Sequence, residues 1–255
     1  MHSEKRLCAQ DTYDGRAGPA LVQLLDLPRV EIFDSVTSTL DSAHALATAG
    51  ASAGTLVLAE HQTAGRGRGG RSWTSAPGAG IWLAIVERPR DAGALEVLSL
   101  RVGLRVARAL DRWTDSPVRL KWPNDLYVGA AKLAGILVEA RWRDEQLEWA
   151  AIGLGVNLLP PQGLAGAALK PNTSRVHVLA EIIPAIRSAA AATGPLAPRE
   201  LAEFEARDLA RGRRCREPAA GTVEGIDAHG SLLVRTAEGV VPCRSGSLVL
   251  EEEIA

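Results

Sequence analysis
The stretch Gly65-Arg66-Gly67-Arg68-Gly69-Gly70-Arg71-Ser72-Trp73 holds the residues best suited to chemistry: four glycines and three arginines, with no acid among them. Guanidinium forks match carboxylates and phosphates two hydrogen bonds at a time. Glycines cost conformational entropy but let backbone come close to a ligand. The combination predicts an anion-binding loop, mobile when empty because its like charges repel and nothing apolar anchors it. A solvated basic hairpin tip is the alternative on this loop alone. Three further clusters put lysine, amide, carboxylate or glycine where apolar strands end. Lys121-Trp122-Pro123-Asn124-Asp125-Leu126 is the first, and by itself it also fits a strand end with an Asx turn. Lys132-Leu133-Ala134-Gly135-Ile136-Leu137-Val138-Glu139 is the second, where Lys132 could simply snorkel from a strand edge. Ile152-Gly153-Leu154-Gly155-Val156-Asn157-Leu158 is the third, with two glycines in a strand pattern, as expected where a ligand or another backbone approaches closely.

Gly65, Gly67 and Gly70 also spell G-x-G-x-x-G, but a dinucleotide fingerprint needs a helix opening on its last glycine. A strand, Thr55 to Ala59, precedes the loop, whereas Pro77, Gly78 and Gly80 follow it, so that reading is rejected. The elements that must hold the clusters can be read from periodicity. The pattern predicts strands at 30–33, 55–60, 81–86, 117–122, 125–128, 133–142 and 147–155, the last two joined by the charged turn Arg143 to Gln146. Thr37-Ser38-Thr39 before Leu40, Ala43 and Ala47 reads as a helix N-cap, with Gly50 as the stop. Further helices are predicted at about 95–113, 177–192 and 199–211, with a loop at Pro160 to Gly166. From about Gly212, short strands alternating with glycine turns read as a small β-barrel module. Residues 1–29 read as a polar N-terminal extension with at most one short helix, residues 30–211 as the main domain and 212–255 as the barrel.

The chain has 255 residues, 46% hydrophobic and 23% charged, with a formal net charge of −1. That charge gives no support to a nucleic-acid or anionic-membrane partner. No apolar run reaches the roughly 18 residues needed to span a bilayer, and the N-terminus has no signal-peptide core. Cys8, Cys215 and Cys243 are three and far apart. They make neither a disulfide framework nor a zinc site, so a cytoplasmic protein with no permanent metal is expected.

Glu60 to Trp73, Lys121 to Asp125, Lys132 to Leu137 and Gly153 to Asn157 occur in one order that resembles biotin protein ligases, with Ser38-Thr39 as a fifth block. The resemblance covers about residues 30–250. It implies an α+β fold: a mixed, largely antiparallel sheet flanked by helices, like the core of class II aminoacyl-tRNA synthetases, with a small C-terminal SH3-like β-barrel. It implies ATP-dependent ligation of biotin to a lysine of a biotin carboxyl carrier protein, such as an acetyl-CoA carboxylase subunit, through biotinoyl-5′-AMP. Biotin and ATP would be substrates, with Mg²⁺ arriving on the nucleotide, and a homodimer is allowed.

Residue by residue, the resemblance implies that Ser38, Thr39, Gln62, Arg66, Gly67, Arg68, Lys132 and Gly135 bind biotin. It places Arg68, Arg71, Trp73, Lys121, Asn124 and Asn157 on the ATP side, and Lys132, Arg68 and Asp125 at the chemistry. Leu40 stands where relatives often have asparagine, so it is expected on an apolar wall or in the core. No tryptophan follows Asn157, so Leu158, Leu159 or Leu169 is expected over the adenine. Some relatives carry an N-terminal winged-helix repressor domain of roughly 60 residues. The polar extension is too short for one, so no sequence-specific DNA binding is expected. A lipoate–protein ligase or octanoyltransferase, which share the fold, and a non-catalytic biotin sensor are the competing readings.

Overall fold
The computed structural model describes residues 5–6, 12–161 and 166–251. In chain order the N-terminal half forms β1 (Lys5–Arg6), β2 (Thr12–Tyr13), β3 (Arg16–Ala17), α1 (Gly18–Leu25), β4 (Arg29–Val36), α2 (Thr39–Thr48), β5 (Thr55–Gln62) and β6 (Gly80–Glu87). Then follow α3 (Leu98–Leu110), β7 (Arg119–Lys121), β8 (Asp125–Val128), β9 (Ala131–Arg143), β10 (Gln146–Asn157), α4 (Arg175–Ala190) and α5 (Pro198–Arg207). The C-terminal part holds β11 (Arg214–Glu217), β12 (Gly221–Ile226), β13 (Leu232–Thr236), β14 (Gly239–Cys243) and β15 (Val249–Leu250).

Side chains alternate between the two faces of a strand, and here both faces are apolar. Leu56 and Leu58 of β5 and Ile81, Leu83 and Ile85 of β6 enter one core cluster. Val57 and Ala59 of β5 and Ala84 and Val86 of β6 enter a second. The first cluster is closed by Leu21 and Leu25 of α1, Leu100 and Leu104 of α3, and Ile182, Ile183 and Ile186 of α4. The second is closed by Leu40, Ala43 and Ala47 of α2. The sheet between them has the order β1-β4-β5-β6-β10-β9-β8-β7. Only β4 and β5 pair in parallel; the other neighbours are antiparallel. The fold is therefore a mixed, largely antiparallel sheet flanked by helices. A separate five-stranded antiparallel sheet, β14-β13-β12-β11-β15, forms the C-terminal unit.

Two differences from the sequence reading have physical causes. The polar extension joins the main core, because Tyr13, Leu21, Leu25 and Leu27 are all buried in the first cluster. The Arg175 guanidinium lies 4.1 Å over the Tyr13 ring and pairs with Glu60 at 2.7 Å. β11, with the sequence Arg-Cys-Arg-Glu, shows no apolar alternation and is held by pairing with β12 and β15. The expected hairpin is present: Asp144 and Glu145 both have positive φ, 46° and 64°, as a tight two-residue connection between twisted strands requires.

The two sheets meet through polar bonds at the end of α5. Leu209 N donates to Leu120 O at 2.9 Å and Arg119 Nη2 to Asp208 O at 2.5 Å. Trp122 Nε1 donates to Gly230 O at 2.9 Å in the C-terminal unit. Asp208 is 3% exposed, and its Oδ1 accepts from Ala210 N at 2.8 Å. Its Oδ2 finds no partner among the described residues. Burial, against two backbone bonds and Arg119, pushes its carboxyl up to about 6. A folded-state value above the unfolded one means that the folded protein holds the extra proton, and that stability is lost as the pH rises through this window. Wild type should therefore lose up to about 3 kcal/mol of unfolding free energy relative to Asp208→Asn between pH 4 and pH 7. Urea unfolding across that range measures it, and a pH-independent difference between the two proteins would contradict it.

Candidate active site
The α2 face of the sheet loses its side chains at one place. Gly155 of β10 is registered with Gly135 of β9, and Gly153 follows on the same face. An added Cβ at Gly153 would meet Leu40 at 3.0 Å, at Gly135 the Trp73 ring at 3.0 Å, and at Gly155 Trp73 Nε1 at 2.6 Å. These glycines form a bare floor on which the Trp73 indole lies, edge-on to Trp82 with ring centroids 6.4 Å apart. Trp73 Nε1 is buried with no partner among the described residues, a condition that costs on the order of 1–3 kcal/mol.

The glycine-rich loop is folded down over this floor. Gly67 N donates to Arg71 O at 2.7 Å and Trp73 N to Gly65 O at 2.8 Å, and Arg68–Gly70 makes a single 3₁₀ turn with Gly69 at φ 63°. The sequence predicts that no acid offsets the loop's charge and that nothing apolar anchors it. Both points are corrected by groups distant in sequence. Arg66 is held by Asp41 at 2.5 Å and by Glu139 at 3.0 Å, and Trp73 is the apolar anchor. Arg66 lines the cleft, but its fork is spent on carboxylates. The loop cations without a carboxylate partner among the described residues are Arg68 and Arg71. Burial, followed by the neighbouring Arg71, lowers the pKa of Arg68.

Around the floor the structure gathers Ser38, Thr39, Gln62, Arg66, Gly67, Arg68, Arg71, Trp73, Asn124, Asp125, Lys132 and Gly135 on the wall of one cleft. Ser38 caps α2, its Oγ accepting from Leu40 N at 3.3 Å. Gln62 Oε1 accepts from Thr39 N at 2.8 Å and from Thr39 Oγ1 at 3.1 Å, while its Nε2 donates to Ser75 Oγ at 2.8 Å. The amide is thereby fixed in one orientation. Asn124 Nδ2 donates to Ile136 O at 2.6 Å, and this ties the 121–125 turn to β9. Lys132 Nζ pairs with Asp125 Oδ1 at 2.7 Å and lies 5.1 Å over the Trp73 ring.

Two expected residues are not on the wall. Lys121 is buried with its Nζ 5.6 Å from the centroid of the Tyr127 ring. Asn157 is 6% exposed and donates to Lys132 O at 3.3 Å and to Ala167 O at 3.1 Å. It fixes the backbone of Lys132 rather than facing the cleft. Leu40 meets both expectations, in the core and on the wall. Leu169 is buried in the larger core, Leu159 is exposed, and neither they nor Leu158 line this cleft. Asp41, Glu139 and Ser75 were missed, because a carboxylate or hydroxyl that serves a loop from another element leaves no local pattern.

The cavity measures about 120 Å³, against the roughly 300–1,000 Å³ of pockets that take drug-sized ligands. Room for such a ligand must come from movement of the loop and Trp73. If the indole rests on Gly155, Gly155→Ala overpacks the contact, at a cost of about 1–3 kcal/mol, and pushes Trp73 outward. Acrylamide should then quench a larger fraction of tryptophan emission, and the increase should vanish in Gly155→Ala/Trp73→Phe. Quenching of Gly155→Ala equal to wild type would show that the indole sits elsewhere.

Comparison with known proteins gives this geometry its context. The Biotin/lipoate A/B protein ligase family matches residues 31–157, and the Biotin protein ligase C terminal domain matches residues 213–252. The chain is 34% identical over 222 residues to the biotin–[acetyl-CoA-carboxylase] ligase of Paracoccus denitrificans, covering 76% of this chain and 90% of that protein. It is 32% identical over 216 residues to the ligase of the same name from Mycobacterium tuberculosis, covering 77% and 79%. The bifunctional ligase/repressor BirA of Bacillus subtilis is 36% identical over 126 residues, which span 49% of this chain and only 39% of that protein. Biotin protein ligase from Aquifex aeolicus, solved in complex with biotin and ATP, aligns with a TM-score of 0.71 at 26% identity, over 88% of this chain and 99% of that one. The chain belongs to the biotin protein ligase family.

Proposed function
We propose that this chain joins biotin to a lysine of a biotin carboxyl carrier protein in two steps at this cleft, in the cytoplasm where ATP is at hand. The observation that carries the proposal is the convergence of Lys132, Asp125, Arg68 and Arg71 on a side-chain-free floor, beside the fixed Gln62–Thr39 cradle. In the first step an oxygen of the biotin carboxylate attacks the α-phosphorus of ATP, and the bond to the β-phosphate bridge breaks, releasing pyrophosphate. Both reactants are anions, so the work of the protein is to place them and to offset charge. Mg²⁺ carried by the triphosphate would neutralise part of its charge, and Arg68 and Arg71 would offset more. Thr39 and Gln62 present donors and an acceptor to the polar ring of biotin, and Gly135 and Gly155 let the ring lie against the sheet.

Lys132 is the mobile cation. At rest it is paired with Asp125. An incoming carboxylate and phosphoryl group give Nζ stronger partners, and Asp125 is released toward the lysine of the carrier. In the second step the amine nitrogen of that lysine attacks the acyl carbon of biotinoyl-5′-AMP, loses a proton, and AMP leaves. Asp125 orients this amine and accepts its proton. Arg68 and Arg71 close over the phosphates, and Trp73 Nε1 gains an acceptor that it lacks at rest. Loop closure keeps water from the activated carbonyl.

We read the eight-stranded sheet and its helices as a class II aminoacyl-tRNA synthetase-like core, and the five-stranded C-terminal sheet as an SH3-like barrel. The division near residue 212 is supported by the two separate sheets. The bond from Trp122 to Gly230 ties the barrel to the strand end that carries Asn124 and Asp125, so we assign the barrel a role in docking ATP and the carrier.

Incubating the chain with biotin, ATP, Mg²⁺ and a carrier domain, then weighing the carrier by mass spectrometry, tests the reading. One biotinoyl group on one lysine is expected. Modification by lipoate or octanoate but not by biotin would overturn it in favour of the lipoate branch. Lys132→Ala should slow biotin-dependent pyrophosphate release by about 10²-fold, as loss of one donor to developing charge does. A rate within threefold of wild type would remove Lys132 from the chemistry.

A further inference from the structure
Arg66 of the glycine-rich loop is the end of a chain of hydrogen bonds. Its Nε and Nη2 donate to the two oxygens of Glu139 at 3.2 and 3.0 Å, and its Nη1 donates to Asp41 at 2.5 Å. Behind Glu139, His44 Nε2 lies 3.0 Å from Oε2, the oxygen that also takes Nη2. His44 Nδ1 in turn lies 3.0 Å from the indole Nε1 of Trp149. An indole nitrogen can only donate, so His44 Nδ1 accepts, and the ring hydrogen sits on Nε2, facing Glu139. Trp149 thus selects the tautomer that gives Glu139 a donor.

Four segments meet in this chain: α2 supplies Asp41 and His44, three residues apart on one helix face, β9 supplies Glu139, β10 supplies Trp149, and the loop supplies Arg66. The hydrogen bond from His44, opposed by burial and helped by Arg66, lowers the carboxyl of Glu139 to about 2. His44 and Glu139 are not on the wall of the cleft, so any effect they have on chemistry must pass through Arg66.

We infer that His44 is a positioning residue of the loop: held in one tautomer by Trp149, it orients Glu139, and Glu139 seats Arg66 so that the loop lies over Lys132 and Gly155. The inference rests on the ligase reading of the cleft for its consequence in chemistry, but not for its geometry. Without the donor from His44, Glu139 is free to turn, the fork on Arg66 loosens, and the closed loop is less populated. The relay holds the base of the loop at Arg66, while the tip that carries Trp73 moves to admit ligand, and an adenylate under a loop with a loose base is retained less well.

The test uses the full chain as wild type, His44→Ala, His44→Gln, Glu139→Gln and the double variant His44→Ala/Glu139→Gln. Tryptic cleavage between Arg66 and Arg71 reads the loop, and KM for ATP and kcat of pyrophosphate release read the chemistry. His44→Ala should speed loop cleavage about tenfold, the scale of one hydrogen bond to a charged group, and raise KM for ATP more than it lowers kcat. His44→Gln, whose amide nitrogen falls near the position of Nε2, should restore most of the protection. The double variant should be no worse than Glu139→Gln alone, because both changes break one chain.

Additive effects in the double variant, or wild-type cleavage in His44→Ala, would overturn the inference. If His44→Ala does not fold, ¹⁵N spectra of the imidazole in wild type and in Trp149→Phe decide instead. A single Nε2–H tautomer that becomes mixed in Trp149→Phe, with faster loop cleavage, supports the relay, and unchanged spectra refute it. Cleavage and spectra need no biotin chemistry, so a wild type that releases no pyrophosphate would overturn the ligase reading and leave the relay to be judged on these two readouts.

Discussion
The contact on which the rest depends is the seating of the Trp73 indole on Gly135 and Gly155. It is possible only because two neighbouring strands place glycine opposite glycine on the same face. Any Cβ at Gly155 would fall 2.6 Å from the indole nitrogen. The contact pulls a charged, glycine-rich segment onto an apolar sheet and brings its arginines into the cleft that Lys132 lines. It also leaves the Trp73 N–H buried without an acceptor among the described residues. The closed loop is therefore held by packing and destabilised by one unmet polar group, a balance that an acceptor on a bound ligand would tip.

Charge is arranged around this contact so that each loop arginine has a different part. Arg66 is matched by Asp41 and Glu139 and fixes where the loop leaves the sheet. Arg71 donates to the carbonyl of Arg68 at 3.2 Å and shapes the turn. Arg68 is left partly buried beside another cation, and that environment favours an anion nearby. Lys132 and Asp125 hold one another at 2.7 Å, so at rest the charge of this lysine is matched inside the cleft. On the proposed reading both substrates are anions, and this store of positive charge lies where they would react.

How much of this could be read from the sequence depends on whether each signal was local. The strands and helices were legible because their apolar periodicity is local: β8 and α2 were placed to within a residue or two. The clusters around Arg66, Lys121, Lys132 and Gly153 were legible because glycine and lysine are conspicuous in apolar strands. Tertiary partners were not. Asn157 looked like a ligand contact, yet it pins the backbone of Lys132 from behind. His44 leaves no local signal, because its partners lie 95 and 105 residues away. The segment before residue 30 looked peripheral because its apolar residues are few, though Tyr13, Leu21 and Leu25 are fully or nearly fully buried.

The most direct measurement is a crystal structure of the chain with biotin and a non-hydrolysable ATP analogue. Biotin is expected on the Gly135–Gly155 floor beside Thr39 and Gln62, its carboxylate within hydrogen-bond distance of Lys132 Nζ. Trp73 should be displaced from its resting place and Asp125 parted from Lys132. Biotin bound elsewhere, or bound with Trp73 and the Lys132–Asp125 pair unmoved, would contradict it.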